Sequence, residues 1–114
     1  EVTKQLQGQV GILITEPLDY FSLQTALSES VLVMTDSGGM QKEGYFHKVP
    51  CVTLRNETEW QETVSTGWNK LVGANKTKIV SAALQAEVPQ KKQEQFFGDG
   101  TAAYKITEAL GDFA

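Results

Sequence analysis

The 114-residue sequence predicts an α/β domain built around a parallel sheet. Two observations carry that expectation. Three short apolar runs, Val10-Gly11-Ile12-Leu13-Ile14, Val31-Leu32-Val33-Met34 and Cys51-Val52-Thr53-Leu54, are continuous rather than alternating. That is the pattern of strands covered on both faces, as parallel strands are. Segments of helical length lie between them, so strand and helix alternate along the chain.

Taken in order, Val10 to Ile14 reads as the first strand. Glu16-Pro17-Leu18-Asp19 then opens a helix with Tyr20, Leu23 and Leu27 three and four apart on one face. Val31 to Met34 is the second strand. The helix from Gly39 to Lys48 ends ahead of Pro50, because the residue before a proline disfavours helix. After the third strand, Cys51 to Leu54, Thr58 caps a short helix that Gly67 stops. Leu71-Val72-Gly73 is a brief fourth strand. Asn75 caps a helix bearing Ile79, Val80, Ala83 and Leu84. A polar connector, Gln90 to Gln95, leads to Gly98-Asp99-Gly100, which turns into a last helix with Ala103, Ile106, Ala109 and Leu110 on its apolar face. The sequence contains no internal repeat.

The length suits one domain, residues 1–114, with one core that buries roughly 65% of the unfolded surface. The hydrophobic share of 40% and the charged share of 21% exclude a disordered chain. No apolar run approaches the roughly 20 residues of a membrane-spanning helix. The net charge of −4 argues against a nucleic-acid binder, which needs a basic surface to displace phosphate counterions. Cys51 is the single cysteine and reads as a buried strand thiol. The chain opens without Met or a signal peptide, as a piece cut from a longer protein would. Its two Asn-x-Thr sequons, at Asn56 and Asn75, matter only in a secreted protein, and a cytoplasmic location is expected.

The sharpest local feature is Thr35-Asp36-Ser37-Gly38-Gly39-Met40-Gln41-Lys42-Glu43, where a buried strand runs through a glycine pair into a helix. Glycines let a ligand approach the backbone, and the first N–H groups of a helix lack internal partners, so anions bind there. In open α/β sheets this is also the edge where ligands sit. Ser37 adds a hydroxyl donor. A tight turn can require the same glycines for packing alone. Glu43, one turn inside, is placed either to accept bonds from vicinal hydroxyls such as those of ribose or to stand as a solvated charge. Arg55 follows the third strand at the same edge and either pairs with a phosphate or ties down Glu57 or Glu59. Trp60 reads as a packed anchor and His47 as a surface or loop residue. No metal-ligand spacing, nucleophile elbow or Walker loop is present, and no cofactor is called for.

Five segments occur in an order that resembles the non-hydrolysing UDP-N-acetylglucosamine 2-epimerases. They are Leu13-Ile14-Thr15-Glu16-Pro17-Leu18-Asp19-Tyr20, Thr35 to Glu43, Pro50 to Arg55 with Thr58-Glu59, Asn69-Lys70-Leu71-Val72-Gly73, and Gly98-Asp99-Gly100. The Gln-Lys-Glu and Thr-Glu-Trp versions are most similar to the branch that includes UDP-diacetamido-glucuronic acid epimerases. Trp60 stands where another branch has Arg, Leu23 where some members have Phe, and Asn56 where Asp is usual.

The resemblance implies an incomplete Rossmann-like sheet, the second half of the C-terminal domain of a glycosyltransferase-B-type fold. It implies an isomerase that eliminates UDP across C1 and C2 of a UDP-N-acetylated hexose and re-adds it with C2 inverted, in cell-surface polysaccharide biosynthesis. Carried over by motif, Ser37, Gly38 and Gly39 hold the diphosphate, Glu43 the ribose hydroxyls, and Arg55 lies near the phosphates. The segment from Pro17 to Leu23 flanks the uracil. The catalytic residues belong to a missing N-terminal domain, and a central strand between the first two is also missing. The chain alone is therefore expected to be inactive, with its incomplete sheet edge buried by re-pairing or in a homo-oligomer. A separately encoded nucleotide-sugar-binding or assembly module, and a glycosyltransferase fragment, are the alternatives.

Overall fold

The computed structural model describes residues 1–113. The elements follow in the order α1 (Val2–Leu6), α2 (Tyr20–Ser28), β1 (Val33–Thr35), α3 (Gly38–Phe46), β2 (Cys51–Thr53), α4 (Gln61–Ser65), β3 (Asn69–Leu71), α5 (Lys76–Leu84) and α6 (Ala102–Gly111). The strands form one parallel sheet in the order β1-β2-β3, with Val33 opposite Cys51 and Cys51 opposite Asn69. Parallel neighbours need crossover connections, and α3 and α4 supply them.

Successive strand side chains point to opposite faces. Val33 and Cys51 accordingly pack with Leu27 and Val49 on one side, backed by Leu23 and Met40. On the other side Val52 packs with Val72 and Ala82, backed by Leu32, Leu54 and Ile79. Helices α2 and α3 thus cover one face and α5 the other, and all three residues of β2 are buried. Burying a side chain such as Val52 contributes about 1.5–3 kcal/mol. Burial also pushes the Cys51 thiol up from its ordinary pKa, against a weaker bond from Thr53, so Cys51 is the inert strand thiol expected.

Helix ends follow their local chemistry. Asp19 accepts the Ser22 N–H at 3.0 Å and starts α2, and Asn75 accepts the Lys78 N–H at 2.9 Å and starts α5. Helix α3 closes with a Schellman pair, Val49 N–H to Gly44 C=O at 2.9 Å and Lys48 N–H to Tyr45 C=O at 3.0 Å. That closure puts Lys48 at φ 58°, a left-handed conformation usually left to glycine.

Several expectations are corrected. Val10 to Ile14 is not a strand, and Val10 and Leu13 are 102% and 87% exposed. A strand needs partners for its backbone N–H and C=O groups, and among the described residues β1 pairs with β2 alone. An apolar run with no neighbouring strand stays irregular. The fourth strand lies two residues earlier than read, at Asn69–Leu71, because its register is set by pairing with β2. Val72 and Gly73 continue the contact as N–H donors to Thr53 and Arg55, both at 3.0 Å. Thr58 sits outside α4, and Trp60 is the residue at its N-cap position.

The expected extent of burial is corrected as well. The radius of gyration is 17.4 Å, against about 13 Å for a compact chain of this length. The exposed surface is 8801 Å², against about 6,200 Å² for a compact monomer of this mass. The excess lies in the arms. Helices α1 and α6 bury no residue, and Tyr104, Ile106, Leu110 and Phe113 stand open to solvent. Among the described residues no helix is long and apolar enough to cross a membrane.

Candidate functional site

The turn between β1 and α3 lies at the C-terminal edge of the sheet. Ser37 caps α3: its backbone N–H donates to Thr35 Oγ1 at 3.0 Å, and its hydroxyl accepts weakly from the Met40 N–H at 3.5 Å. The first main-chain bond of the helix is Gln41 N–H to Ser37 C=O at 3.4 Å. The N–H groups of Gly38 and Gly39 precede it and point out of the helix end. Partial positive charge is concentrated there.

The loop after β2 meets this turn. Arg55 pairs with Glu59 at 3.3 Å, which settles its protein partner in favour of Glu59 over Glu57. The Glu59 carboxylate lies over Gly38, where an added Cβ would meet Oε1 at 3.4 Å, and Trp60 Nε1 stands 3.5 Å from the same point. Its own backbone N–H holds the Glu59 carboxyl below the usual carboxylate range, with desolvation opposing and Arg55 adding to the effect. The ion pair is solvated on both sides and therefore weak. Trp60 Nε1 is the unusual atom: buried, and without a hydrogen-bond partner among the described residues. Buried donors are almost always satisfied, so this unpaired one beside the N-terminal end of α3 is exceptional in the fold.

Glu43 lies four residues beyond Gly39, on the same helical face one turn down. It is half-buried, and its Oε2 accepts from the Gln24 side-chain amide on α2. His47, expected at the surface, is half-buried at the C-cap of α3 and meets Gln24 Oε1 through Nε2 at 2.6 Å. The structure therefore gathers Ser37, Gly38, Gly39 and Arg55 at one turn, with Glu43 along the helix from them. Pro17 is exposed in the loop ahead of α2. Leu23 turns into the core beside Leu27. The open aromatic surface of that segment is instead Tyr20 against Phe21, edge to face at 5.6 Å.

A buried polar cluster beneath the turn was not anticipated. Gln41 is 1% exposed; its Oε1 accepts from Thr58 Oγ1 at 2.6 Å and from Asn69 Nδ2 at 2.9 Å, and its amide donates to Ser37 C=O at 3.3 Å. Asn69 accepts from Thr53 Oγ1 at 2.6 Å and donates to Thr63 Oγ1 at 3.2 Å. Thr58 Oγ1 accepts the Trp60 N–H at 3.1 Å. The cluster thus ties α3, β2, β3 and the 58–63 segment to the main chain of the Ser37–Gly39 turn. Gln41 and Asn69 were visible in the sequence only as ordinary polar residues, and nothing in their spacing signals burial.

The C-terminal connector straps the other side. Tyr45 donates to the Glu94 carbonyl at 2.6 Å, and Phe97 packs edge-on against Tyr45, Phe46 and Trp60. Lys42 Nζ sits 4.4 Å from the Trp60 ring centre and 4.8 Å from that of Phe97. Trp60 is thereby both the packed anchor expected and the owner of the unpaired donor. Gly98-Asp99-Gly100 is a turn: both glycines have positive φ, 89° and 84°, and Asp99 accepts from the N–H of Thr101, the N-cap residue of α6, at 3.0 Å. A cavity of about 360 Å³ lined by Leu32, Pro50, Trp68, Ala82 and Val88 opens at the opposite, N-terminal end of the strands, away from this turn. Among the described residues no cluster of His, Cys, Asp or Glu could hold a metal ion.

Comparison with known proteins converges on one family. The family model for UDP-N-acetylglucosamine 2-epimerase matches residues 1–111. A UDP-N-acetylglucosamine 2-epimerase homolog of Methanococcus maripaludis is 41% identical over 94% of this chain and 30% of its own length. The UDP-2,3-diacetamido-2,3-dideoxy-D-glucuronate 2-epimerase of Pseudomonas aeruginosa is 40% identical over 96% of this chain and 31% of its own. The Methanocaldococcus jannaschii UDP-GlcNAc 2-epimerase, crystallised with UDP-GlcNAc and UDP, superposes with a TM-score of 0.82 and 37% identity over 97% of this chain and 31% of that one. These neighbours bear out the α/β class and the glycosyltransferase-B type. The chain spans about 30% of the length of the curated relatives it matches, and it belongs to the UDP-N-acetylglucosamine 2-epimerase family.

Proposed function

We propose that this chain, residues 1–114, is the part of a C-terminal domain that binds the UDP moiety in an epimerase of UDP-N-acetylated hexoses, UDP-GlcNAc or a diacetamido-uronic acid relative. The observation that carries the reading is the unpaired, buried Trp60 Nε1–H beside the open N–H groups of Gly38 and Gly39. Donors converging on a helix N-terminus fit a diphosphate. Ser37 adds its hydroxyl, and Arg55 exchanges the exposed Glu59 carboxylate for phosphate oxygens, with little lost because that pair is solvated. Glu43 accepts the ribose hydroxyls one turn along α3. Pro17 and the exposed start of α2 flank the uracil, with Leu23 holding that helix to the core.

In this reading the chain acts on the leaving group. Elimination breaks the C1–O bond and removes the C2 proton, and negative charge grows on the departing UDP. A fixed helix end and Arg55 stabilise that charge as it forms. Re-addition of UDP to the glycal from the same cradle, with protonation on the opposite face of C2, inverts the centre. The proton-moving groups lie in an N-terminal domain outside this chain, so the chain alone is inactive. We place the enzyme in the cytoplasm, in the supply of precursors for surface polysaccharide, with a homo-oligomer covering the open edge of β1.

Titration of the chain with UDP, followed by amide shifts, tests the site. Gly38, Gly39, Glu43 and the Trp60 indole N–H are expected to move at millimolar ligand. Shifts confined to α5 and α6 would sink the assignment.

A further inference from the structure

We propose that Gln24 and His47 are positioning residues that orient Glu43 for ribose, a claim that rests on the ribose role assigned to Glu43 above. Three half-buried side chains from two helices form one chain of hydrogen bonds. The Gln24 amide nitrogen donates to Glu43 Oε2, and Gln24 Oε1 lies 2.6 Å from His47 Nε2.

The direction of every bond in this chain follows from the carboxylate. Ionised Glu43 only accepts, so Gln24 must present its NH₂ to it, and the amide oxygen then faces His47. An oxygen there requires a proton on Nε2 of the imidazole. His47 meets that requirement as the Nε2–H tautomer. Flipping the Gln24 amide would set oxygen against oxygen at Glu43. His47 thus locks the amide, and the amide locks one oxygen of the carboxylate. Oε1 of Glu43 is left with both lone pairs for a ligand hydroxyl. An unbraced glutamate on a helix surface would lose rotamer freedom on binding, at a cost that this bracing removes beforehand.

Helix α2 carries Gln24 at one position and Leu23 at the one before it, the latter anchored in the core by Leu27, Val33 and Cys51. The brace therefore ties the hydroxyl acceptor to the helix that follows the segment assigned to uracil. Gln24 and His47 touch no reacting atom, so their substitution should change nucleotide recognition and leave the chemical step nearly intact.

The test compares UDP with 2′-deoxy-UDP as ligands of the epimerase that carries this chain. A hydroxyl-to-carboxylate bond predicts that the natural enzyme binds UDP at least about tenfold more tightly. Glu43→Gln should reduce that ratio to near unity. Gln24→Leu, with the carboxylate retained, should reduce it to about two- to threefold while raising KM for the UDP-sugar and sparing kcat. His47→Leu should act in the same direction, and His47→Gln, which keeps an N–H donor, should restore most of the discrimination. If Glu43→Gln abolishes the ratio and Gln24→Leu leaves it at tenfold, the brace is wrong and the role of Glu43 stands. If affinity for both ligands falls together at an unchanged ratio, Gln24 only packs, and the proposal is overturned. If the natural enzyme itself does not discriminate, the ribose role of Glu43 fails and takes the proposal with it.

Discussion

Two regions of this chain reverse the usual relation between polarity and burial. The segment Val10 to Ile14 is the first apolar run in the sequence, and its side chains stand in solvent. Gln41, Thr53, Thr58, Thr63 and Asn69 are polar, and each is buried. The difference lies in partners. Every polar member of the second group has at least one hydrogen bond inside the protein, so its desolvation is offset. The apolar segment has no neighbouring strand to satisfy its backbone, and hydrophobicity alone cannot order it. The polar cluster also bonds to the main chain of the Ser37–Gly39 turn, so the turn rests on buried, hydrogen-bonded side chains.

The largest expected effect comes from breaking the polar cluster at its centre. Gln41→Ala removes the acceptor shared by Thr58 and Asn69 and the donor to Ser37 C=O. It leaves the Thr58 hydroxyl and one Asn69 N–H without their buried acceptor, the Asn69 amide keeping only Thr63, for a loss of about 3 kcal/mol in urea unfolding. Because Ser37 C=O is one of the three bonds lost, UDP binding should weaken in the folded fraction too. A loss under 0.5 kcal/mol would mean that the cluster fills space and does not hold the turn.

A smaller change, of opposite sign, is expected where the same region carries strain. Lys48 sits at φ 58° at the end of α3, held there by the Schellman bonds of Val49 and Lys48. Lys48→Gly keeps both bonds and removes the steric penalty of a side chain in that conformation, for a gain of about 1 kcal/mol. An unchanged or lowered unfolding midpoint would show that the Lys48 stem contributes more packing than its backbone costs.

These positions show how much was legible in advance. Periodicity located β1, β2 and the helices α2, α3 and α5, and cap chemistry named Asn75, while Asp19 was read only as part of the segment that opens α2. The glycine pair marked the helix end, because the need for close backbone approach is written in residue type. Burial of Gln41 and Asn69 was illegible, since a satisfied buried amide and a solvated one are the same letter. The Gln24–His47 contact was hidden for a different reason. It joins residues 23 apart in sequence that only the α2–α3 packing brings together. The exposure of Val10 to Ile14 was missed because strand formation depends on a neighbour that a local run does not specify.

Asp19 caps α2, the first helix after the exposed segment, and its effect is smaller and depends on pH. The side-chain hydroxyl of Ser22 at 2.6 Å and the Ser22 N–H at 3.0 Å hold its carboxyl below the ordinary value. A carboxyl lowered in the folded state stabilises fully above its unfolded pKa and loses that contribution as pH falls through the lowered value. Asp19→Asn should flatten this acid limb of stability while keeping a capping oxygen. Glu59 and Asp99 are lowered as well, so an unchanged acid limb in Asp19→Asn would assign the pH dependence to them.

The smallest expected effect falls on the exposed segment and tests the comparison at its other end. Leu13→Ser in the 114-residue chain removes an apolar side chain that is 87% exposed. It touches no core cluster, so the monomer's unfolding free energy should change by less than about 0.5 kcal/mol. A buried strand leucine would lose several times more. The same substitution has a second readout, because an exposed apolar run and the unpaired edge of β1 each favour contact between copies. Sedimentation across a range of concentrations should therefore show weaker self-association for Leu13→Ser at unchanged monomer stability. If monomer stability instead drops by 2 kcal/mol or more, Val10 to Ile14 is packed in solution, and its contrast with the Gln41 cluster is lost.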